Sequence, residues 1–440
     1  KLAEQLNQVW DKIVQTAVTA NESKRKMETI EGSNSFTVRE QDVPEQGRSY
    51  QKEIVPDQDI PVLYQTDVLV VGGGTSGATA AITSAKEGMD TVLLEMNPGL
   101  GGTATLGAVD SYWFGRRVGF NQFITEKVNE VQQRLNHKSP KWNIEAKMYA
   151  LLNEAEKAGV NTYFYTTTIG TIMDGNRVKG VVVASKWGTF AVMAKTVIDA
   201  TGDGDIAAFA GAEYVYGAER DHVVMWYSLP QFAKPGRSQN NFTSAVQISN
   251  IVDYTRAILD GRRRKRNRDV HDHGIYVASR ETRHILGEVV MTMTDQLRYR
   301  QWDDVINIHF SNHDMKGKST ADWMNVGLIP PNLEIEIPYR MVLPKGIEGL
   351  LVAGKAISAT HDGFAAIRMQ SDLENLGGIV AIAAAQAIKN QQLPSEINVK
   401  ELQKRVVKEG MLPEEIIERK AENKEYQDDE LATLVDSLKG

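Results

Sequence analysis

Residues 67–96 read DVLVVGGGTSGATAAITSAKEGMDTVLLEM, and their order is strand, glycine turn, helix, strand, acid. Val68 to Val71 form an apolar β-branched run, followed by Gly72, Gly74 and Gly77 in the spacing G-x-G-x-x-G. The first glycine permits a tight turn, the second lets backbone approach a pyrophosphate, and the third lets helix meet strand. Thr75 and Ser76 open the helix, whose N-terminus directs free N–H groups and partial positive charge at phosphates. Ala78 to Ala85 are small enough to lay that helix close against a sheet. Thr91 to Leu94 make a second strand, and Glu95 at its end can accept hydrogen bonds from ribose hydroxyls. A carboxylate there repels a 2′-phosphate, which argues against NADP. A glycine fingerprint alone is weak evidence. With strand, helix, second strand and terminal acid all in register, the expectation is a dinucleotide-binding domain.

Three further segments favour FAD over NAD. Met96 leads directly into NPGLGGTATLG, where Gly101, Gly102 and Thr103 suit a loop pressed against a large planar ligand. Short strands are expected at 161–165, 169–173, 178–185 and 190–193, with turns at 174–176 and 187–189. The buried run TVIDAT then ends at Thr201, Gly202 and Asp203. A meander followed by a return strand and a glycine–acid turn is a poor fit to a simple nicotinamide domain. Finally, 350–388 reads as a strand closed by Gly354 and Lys355, a polar loop, and a helix of very small residues from about Asn375. The N-terminus of such a helix favours the charge that a reduced flavin gathers.

These segments resemble the FAD-dependent oxidoreductases of the glutathione-reductase-like flavoprotein superfamily. The resemblance rests on VVGGGTSG paired with GGTAT, IDATGDGDIAAFAGA, SRETRHILGEVVMT at 279–292, and PYRMVLPKGIEGLLVAG running on to LLVAGKAISATHDGFAAIRM. It covers roughly residues 61–391, and several motifs in order are more specific than any one. It implies an α/β fold: a Rossmann-like FAD-binding domain of three-layer ββα architecture, a β-meander crossover and an inserted α+β substrate or cap domain. It also implies an enzyme that uses FAD.

With 440 residues and 42% hydrophobic content, the chain can bury a substantial core in two or three domains. Its net charge of −7 gives no electrostatic footprint for nucleic acid. The local basic run GRRRKRNR at 261–268 reads first as a solvated loop and second as a face for an anionic partner. The absence of cysteine excludes disulfides, thiolate-bound zinc, iron–sulfur clusters, a cysteinyl flavin and a redox-active cysteine pair. It slightly favours an extracytoplasmic bacterial location over a cytoplasmic one. No signal-peptide pattern opens the chain, and a start at Lys1 is compatible with one removed. The apolar stretch near 378–388 is too short to span a bilayer. The triplet Asn241–Phe242–Thr243 matches a glycosylation acceptor by chance more readily than by design.

The expected organisation is an N-terminal helix and surface arm over 1–60 and a discontinuous FAD domain over 61–211 plus 338–390. An inserted substrate or cap domain over 212–337 and a helical extension over 391–440 complete it. Residues 1–26 carry a helical apolar stripe, and 28–60 read as polar and irregular. The insertion holds most histidines, many arginines, and Trp226, Tyr227, Tyr276, Trp302 and Trp323.

The proton-handling group should come from loops near the flavin ring. His361, Asp362 and Arg368 lie between the last strand and its helix. His361 suits a general base or a stabiliser of reduced flavin. Arg368 suits bidentate binding of a substrate carboxylate. The alternative is that both only fix the loop. Arg280, Arg283, His284, Tyr339 and Arg340 are further candidates; if the segment around 280 is helical, 280 and 284 share a face. A guanidinium cluster suits an anionic or highly hydroxylated substrate, while ion pairs to Glu281 and Glu288 are the structural alternative. Asp110 and Tyr112 follow the flavin loop and could reach the pocket, with Trp113 packed against it. His271–Asp272–His273 lacks a third ligand at fixed spacing and reads as a polar loop, so no metal is expected. No nucleophile elbow, P-loop or H-E-x-x-H is present.

The expected activity is hydride transfer between flavin N5 and a small polar molecule, a sugar or a carboxylate, with an electron acceptor the sequence does not identify. The competing readings are non-redox use of FAD by a hydratase or isomerase, a structural flavin, and a binding protein in which the fold is a relic. No nucleic acid and no membrane span are expected among the partners; a homo-oligomer is compatible with the chain.

Overall fold

The computed structural model describes residues 59–220, 222–234, 237–243, 246, 250–264, 277–317 and 330–423, with the backbone of Glu28–Thr29 (β1) and Phe36–Val38 (β2). The expected helix over 1–26 lies outside them, as do Tyr276, Trp323, His271–Asp272–His273 and the end of the basic run.

The central sheet grows from strand β3 (Val62–Val71). Val68 and Val70 are buried in one apolar cluster, Leu69 and Val71 in another. Alternation with both faces buried is what a covered parallel strand requires, and each such side chain contributes about 1.5–3 kcal/mol. Strand β4 (Thr91–Leu94) runs parallel to β3, and β5 (Asn161–Tyr163) parallel to β4. On the other side lies β8 (Gly188–Asp199), parallel to β3, and the short β15 (Leu350–Val352) pairs parallel with its end. Strands β6 (Thr167–Asp174) and β7 (Arg177–Ser185) form the antiparallel meander that reaches β8.

Helix α1 (Thr75–Lys86) and the long helix α8 (Gln370–Lys389) cover the face that holds Val68 and Val70. Met173, Val181 and Val183 of the meander join the cluster on the opposite face. Helices, parallel sheet and meander are therefore three layers, the α/β Rossmann-like arrangement. Helices α2 (Gly119–Arg134) and α3 (Ile144–Ala158) extend the helical layer. Helix α4 (Asp205–Ala210) follows β8.

Within the expected insertion, β9 (Tyr214–Tyr216) pairs with β12 (Arg283–Ile285). A hairpin joins β10 (Tyr227–Lys234) to β11 (Arg237–Thr243), followed by α5 (Ile251–Arg264) and α6 (Met293–Leu297). Asn241–Phe242–Thr243 ends β11. Strands β13 (Val305–Ser311) and β14 (Leu333–Pro338) make a second hairpin. The four-residue α7 (His361–Phe364) precedes α8, and α9 (Val399–Lys408) follows it. Among the described residues no helix is long and apolar enough to cross a membrane.

Several expectations are corrected. Residues 190–193 and 196–201 are not separate strands: β8 runs through both, its first half in the meander and its second in the parallel sheet. Strand β5 belongs to the parallel sheet rather than the meander. The segment 28–60 is not wholly irregular, since β2 pairs with β6 and β1 with β2. Residues 280–284 are not helical; Arg283 to Ile285 are strand, so Arg283 and His284 face opposite ways. Helix α8 starts at Gln370, not Asn375. Its polar first turns look like loop in sequence but have tertiary partners: Asp372 accepts from the Arg116 and Phe310 amides, and Asn375 from the Asn121 amide.

Candidate functional site

The turn between β3 and α1 has the geometry its glycines imply. Gly72 sits at φ +93°, and a Cβ there would lie 2.5 Å from the Ala200 carbonyl oxygen. A Cβ on Gly77 would lie 1.7 Å from the Gly72 oxygen, so only glycine lets helix meet strand. A Cβ on Gly74 would meet nothing within 4 Å. That open position is where a pyrophosphate can approach backbone. No side chain caps the N-terminus of α1, and no acid stands in its first turn. The donor groups there are what an anion requires.

Glu95 is buried beside this turn. One carboxylate oxygen accepts from the Gly73 amide at 2.7 Å; the other accepts from the Asn97 amide at 2.7 Å and its side chain at 2.8 Å. Burial raises its carboxyl above the usual range against those N–H bonds. Gly102 abuts Gly74: its Cβ would come within 3.0 Å of the Gly74 Cα. Thr103 follows in the short helical turn Gly102–Ala104, and Met96 is largely exposed beside Glu95. Thr75 opens α1, whereas the Ser76 hydroxyl donates to the Leu373 carbonyl at 2.7 Å and ties α1 to α8.

The turns after β8 and β15 come together at the carboxyl ends of adjacent parallel strands, where open sheets present ligands. Lys355 bonds the Gly202 carbonyl and the Asp203 carboxylate, each at 2.6 Å, and Gly354 sits at φ +88° against Ser76. Burial works to raise Asp203, but the Lys355 charge outweighs it and holds the carboxyl below its usual value. Thr201 is pinned by Asp199, whose other oxygen accepts from the Ala207 amide. Arg283 also belongs here. It bonds the Asp203 carbonyl at 2.9 Å and the Asp205 carboxylate at 2.7 Å. Burial, then the neighbouring Asp203 charge, pushes Asp205 up to about 6.

A second assembly gathers the return loop, the 280 segment and the loop after β13. His361 Nδ1 lies 2.8 and 2.9 Å from the two Glu281 oxygens, and His284 Nε2 lies 2.7 Å from one of them. Glu281 also accepts from the Met225 amide at 2.7 Å and is fully buried. Burial pushes its carboxyl up, yet the bonds and charge of the two histidines prevail and hold it at about 2. An ionised carboxylate only accepts, so both of those ring nitrogens carry hydrogen. In the neutral His361 ring this makes Nε2 the basic nitrogen. Thr360 caps α7 by accepting from the Gly363 amide, which holds His361 at the helix start.

Arg368 donates to the Asp314 carbonyl and, at 2.9 Å, to its carboxylate. Arg280 donates to the Trp226 carbonyl. Burial, then the Arg368 charge, lowers Arg280 to about 9, with Asp314 opposing. His313, next to Asp314, is 6% exposed. Burial lowers it to about 4; Asp362 and Asp314 act to raise it, Arg368 and His361 to lower it.

Of the sequence candidates, His361, Arg368 and Arg280 meet in this assembly. Arg283 and Arg340 do not. Arg340 forms a two-bond pair with Asp304, at 2.9 and 3.0 Å, with its side chain 46% exposed. Tyr339 donates to the Pro394 carbonyl. Glu281 pairs with histidines rather than an arginine. Asp110 is bonded by Lys141, and Tyr112 by Lys147 and Glu374. Trp113 is largely exposed rather than packed. Sequence reasoning missed Glu281, His313 and Asp314 as site residues. The motif that contains Glu281 was legible, but His313 carried no local signal. Among the described residues no acid or histidine group could hold a metal ion.

The family model described as FAD dependent oxidoreductase matches residues 67–268 and 231–406. A digeranylgeranylglycerophospholipid reductase of Methanosarcina acetivorans is 26% identical over 164 residues, 33% of this chain and 40% of that protein. The reductase of the same name from Thermoplasma volcanium is 28% identical over 174 residues, 35% of this chain and 44% of its own. The chain thus spans less than half the length of either reductase. Among solved structures, a geranylgeranyl bacteriochlorophyll reductase-like protein of Thermoplasma acidophilum aligns over 86% of this chain and 92% of that one, at 15% identity and a TM-score of 0.39.

Proposed function

From the premise that this chain belongs to the FAD dependent oxidoreductase family, we propose that it exchanges a hydride between its FAD and a small polar substrate, a sugar or a carboxylate. FAD is its cofactor. The residues that would hold it are Gly72, Gly74, Thr75, Ser76, Gly77 and Glu95, then Met96, Gly101, Gly102 and Thr103, and finally Thr201, Gly202, Asp203, Gly354 and Lys355. FAD supplies the two-electron chemistry at N5 when bound.

The remaining work falls to the chain. His361 takes up or returns the substrate proton at Nε2. Glu281 is its positioning residue, holding Nδ1–H and thereby setting both tautomer and ring orientation. Arg368 and Arg280 orient polar or anionic substrate groups and suit a carboxylate fork. Burial of the assembly keeps water from competing for the proton. The observation that carries this reading is the fully buried Glu281 carboxylate at 2.8–2.9 Å from His361 Nδ1, on the loop that also bears Arg368. The lipid substrates in the names of the matching reductases are not carried over, because the match takes in less than half of those proteins. A neighbourhood of buried arginines, histidines and acids also suits a polar molecule better than a long isoprenoid.

The test is an anaerobic screen of the yellow holoprotein against sugars, hydroxy acids and other carboxylates, followed by flavin absorbance. The expected result is stoichiometric bleaching or reoxidation by a member of those classes. Turnover of a substrate by hydration or isomerisation with no flavin redox change, or reaction with isoprenoids alone, would overturn the reading.

A further inference from the structure

We propose that His313 and Arg368 form a carboxylate-binding subsite in which the His313 imidazole touches the substrate. The proposal rests on the hydride-transfer reading above and narrows its substrate from small polar molecules to carboxylates. His313 follows β13, which ends at Ser311. Its backbone is held at φ +58°, a left-handed conformation that favours glycine and persists in other residues only when the surroundings impose it. Its amide donates to the Ser311 hydroxyl at 3.1 Å, and its carbonyl accepts from the Met315 amide at 2.8 Å. Only the ring remains unused. Both ring nitrogens are buried and have no hydrogen-bond partner. Buried polar groups are nearly always satisfied, so an orphan calls for an explanation. The neighbouring His309 differs in having one partner: its Nδ1 bonds the Ile367 carbonyl at 2.8 Å while its Nε2 has none, whereas neither nitrogen of His313 is bonded.

A third orphan lies close by. Arg368 Nε is buried without a partner, although the far end of the same guanidinium bonds Asp314 twice. Asp314 is the residue after His313, and the Arg368 charge that Asp314 holds acts on the His313 ring. The unused groups are therefore a guanidinium N–H and a neutral imidazole, which offers one N–H and one acceptor. A carboxylate accepts from both donors, and its bond from the guanidinium is charge-assisted, stronger than one to a neutral acceptor. Arg280 adds a second guanidinium, depressed by burial and by Arg368, and an anion would relieve that repulsion. A neutral polyol or amide can satisfy hydrogen bonds but not charge.

The test uses the FAD-loaded protein with propionate and its neutral counterpart propionamide as probes, read by melting temperature and flavin difference spectrum. Propionate is expected to bind at least tenfold tighter than propionamide. His313→Asn keeps a residue tolerant of the left-handed backbone and should weaken propionate by tenfold or more at unchanged FAD content. Equal binding of the two probes, or a wild-type propionate affinity in the variant, overturns the subsite. Should the variant not fold, histidine-ring NMR on the wild type decides instead: the His313 signal moves with propionate and not with propionamide, and an unmoved signal overturns the proposal. Failure of the hydride-transfer reading shows separately, as a flavin that no substrate reduces or reoxidises while propionate still moves the His313 signal.

Discussion

At the scale of single residues, the chemistry turns on what a buried carboxylate does to its partners. Glu281 is fully buried and accepts from two imidazoles and one amide. Glu281→Gln keeps the shape but adds an N–H donor, which can turn an imidazole nitrogen into an acceptor and present the wrong tautomer. FAD content should be unchanged, while flavin reduction by substrate should slow by about 10²-fold or more. A wild-type rate in stopped-flow measurements would leave Glu281 a structural residue only. Glu95 is the second such carboxylate. Its two oxygens hold the Gly73 amide and Asn97, so it shapes the glycine turn as well as being proposed to bond the FAD ribose. A charged hydrogen bond is worth about 1.5–3 kcal/mol. Glu95→Ala should therefore weaken FAD retention by roughly tens of fold without unfolding the apoprotein. Unchanged flavin occupancy after dialysis would count against that role.

At the scale of elements, two glycines of one motif do different work, and a methyl group separates them. On Gly77 it would lie 1.7 Å from the Gly72 oxygen and 3.0 Å from the Ala200 Cβ. Helix α1 would have to leave the sheet, and overpacking of this kind costs about 1–3 kcal/mol or more. On Gly74, whose φ of −71° suits alanine, the methyl meets nothing. Gly77→Ala should lower the melting temperature of the apoprotein. Gly74→Ala should leave it unchanged yet weaken FAD binding by about tenfold or more, because the methyl occupies the approach to backbone. Equal effects of the two changes on stability would refute this division. The same closeness recurs where α1 crosses α8: a Cβ on Gly377 would lie 2.1 Å from the Ser76 oxygen. Small residues in both helices are thus a packing requirement as well as a cofactor feature.

At the scale of the whole molecule, buried titratable groups set how stability depends on pH. Burial lowers His309 to about 3 and His313 to about 4, and its histidine partners hold Glu281 at about 2. In each case the folded pKa lies below the unfolded one. The stability they contribute is present above the unfolded pKa and is lost as pH falls through the folded value. For the histidines that loss begins near pH 6.5, and for Glu281 below about 4.5. Asp372 runs the other way. Burial raises it to about 7 despite two amide donors, so its contribution is full below about pH 4 and is lost on rising toward 7. Asp205, pushed up to about 6, acts in the same sense as Asp372, so between pH 7 and 5 two acids oppose the two histidines. His309→Asn keeps an N–H for the Ile367 carbonyl and removes one titration, about 2 kcal/mol at pH 5. Relative to the wild type, its melting temperature should rise as pH is lowered from 7.5 to 5. An identical pH dependence would show that His309 titrates normally.

The primary structure by itself determined the strand, glycine turn, helix and second strand that form the half of the site proposed to hold FAD. A turn that demands left-handed or Cβ-free backbone, a run of small helical residues and a terminal acid are constraints that act within about thirty residues, so they stand in the chain in readable order. The later glycine turns were legible for the same reason. Their union through Lys355 and Asp203 was implied by adjacent parallel strands rather than by any residue pattern. The tertiary structure alone decided which charges meet. Glu281 and His361 are 80 residues apart, and nothing local distinguishes His313 from a surface histidine. Arg283 and Arg340 carry the same charge as Arg368, yet Asp205 and Asp304 engage them elsewhere. The start of α8 was hidden because its acids read as loop until Arg116, Phe310 and Lys147 supplied partners. A side chain's chemistry depends on burial and on the groups opposite it, and both are properties of the folded chain.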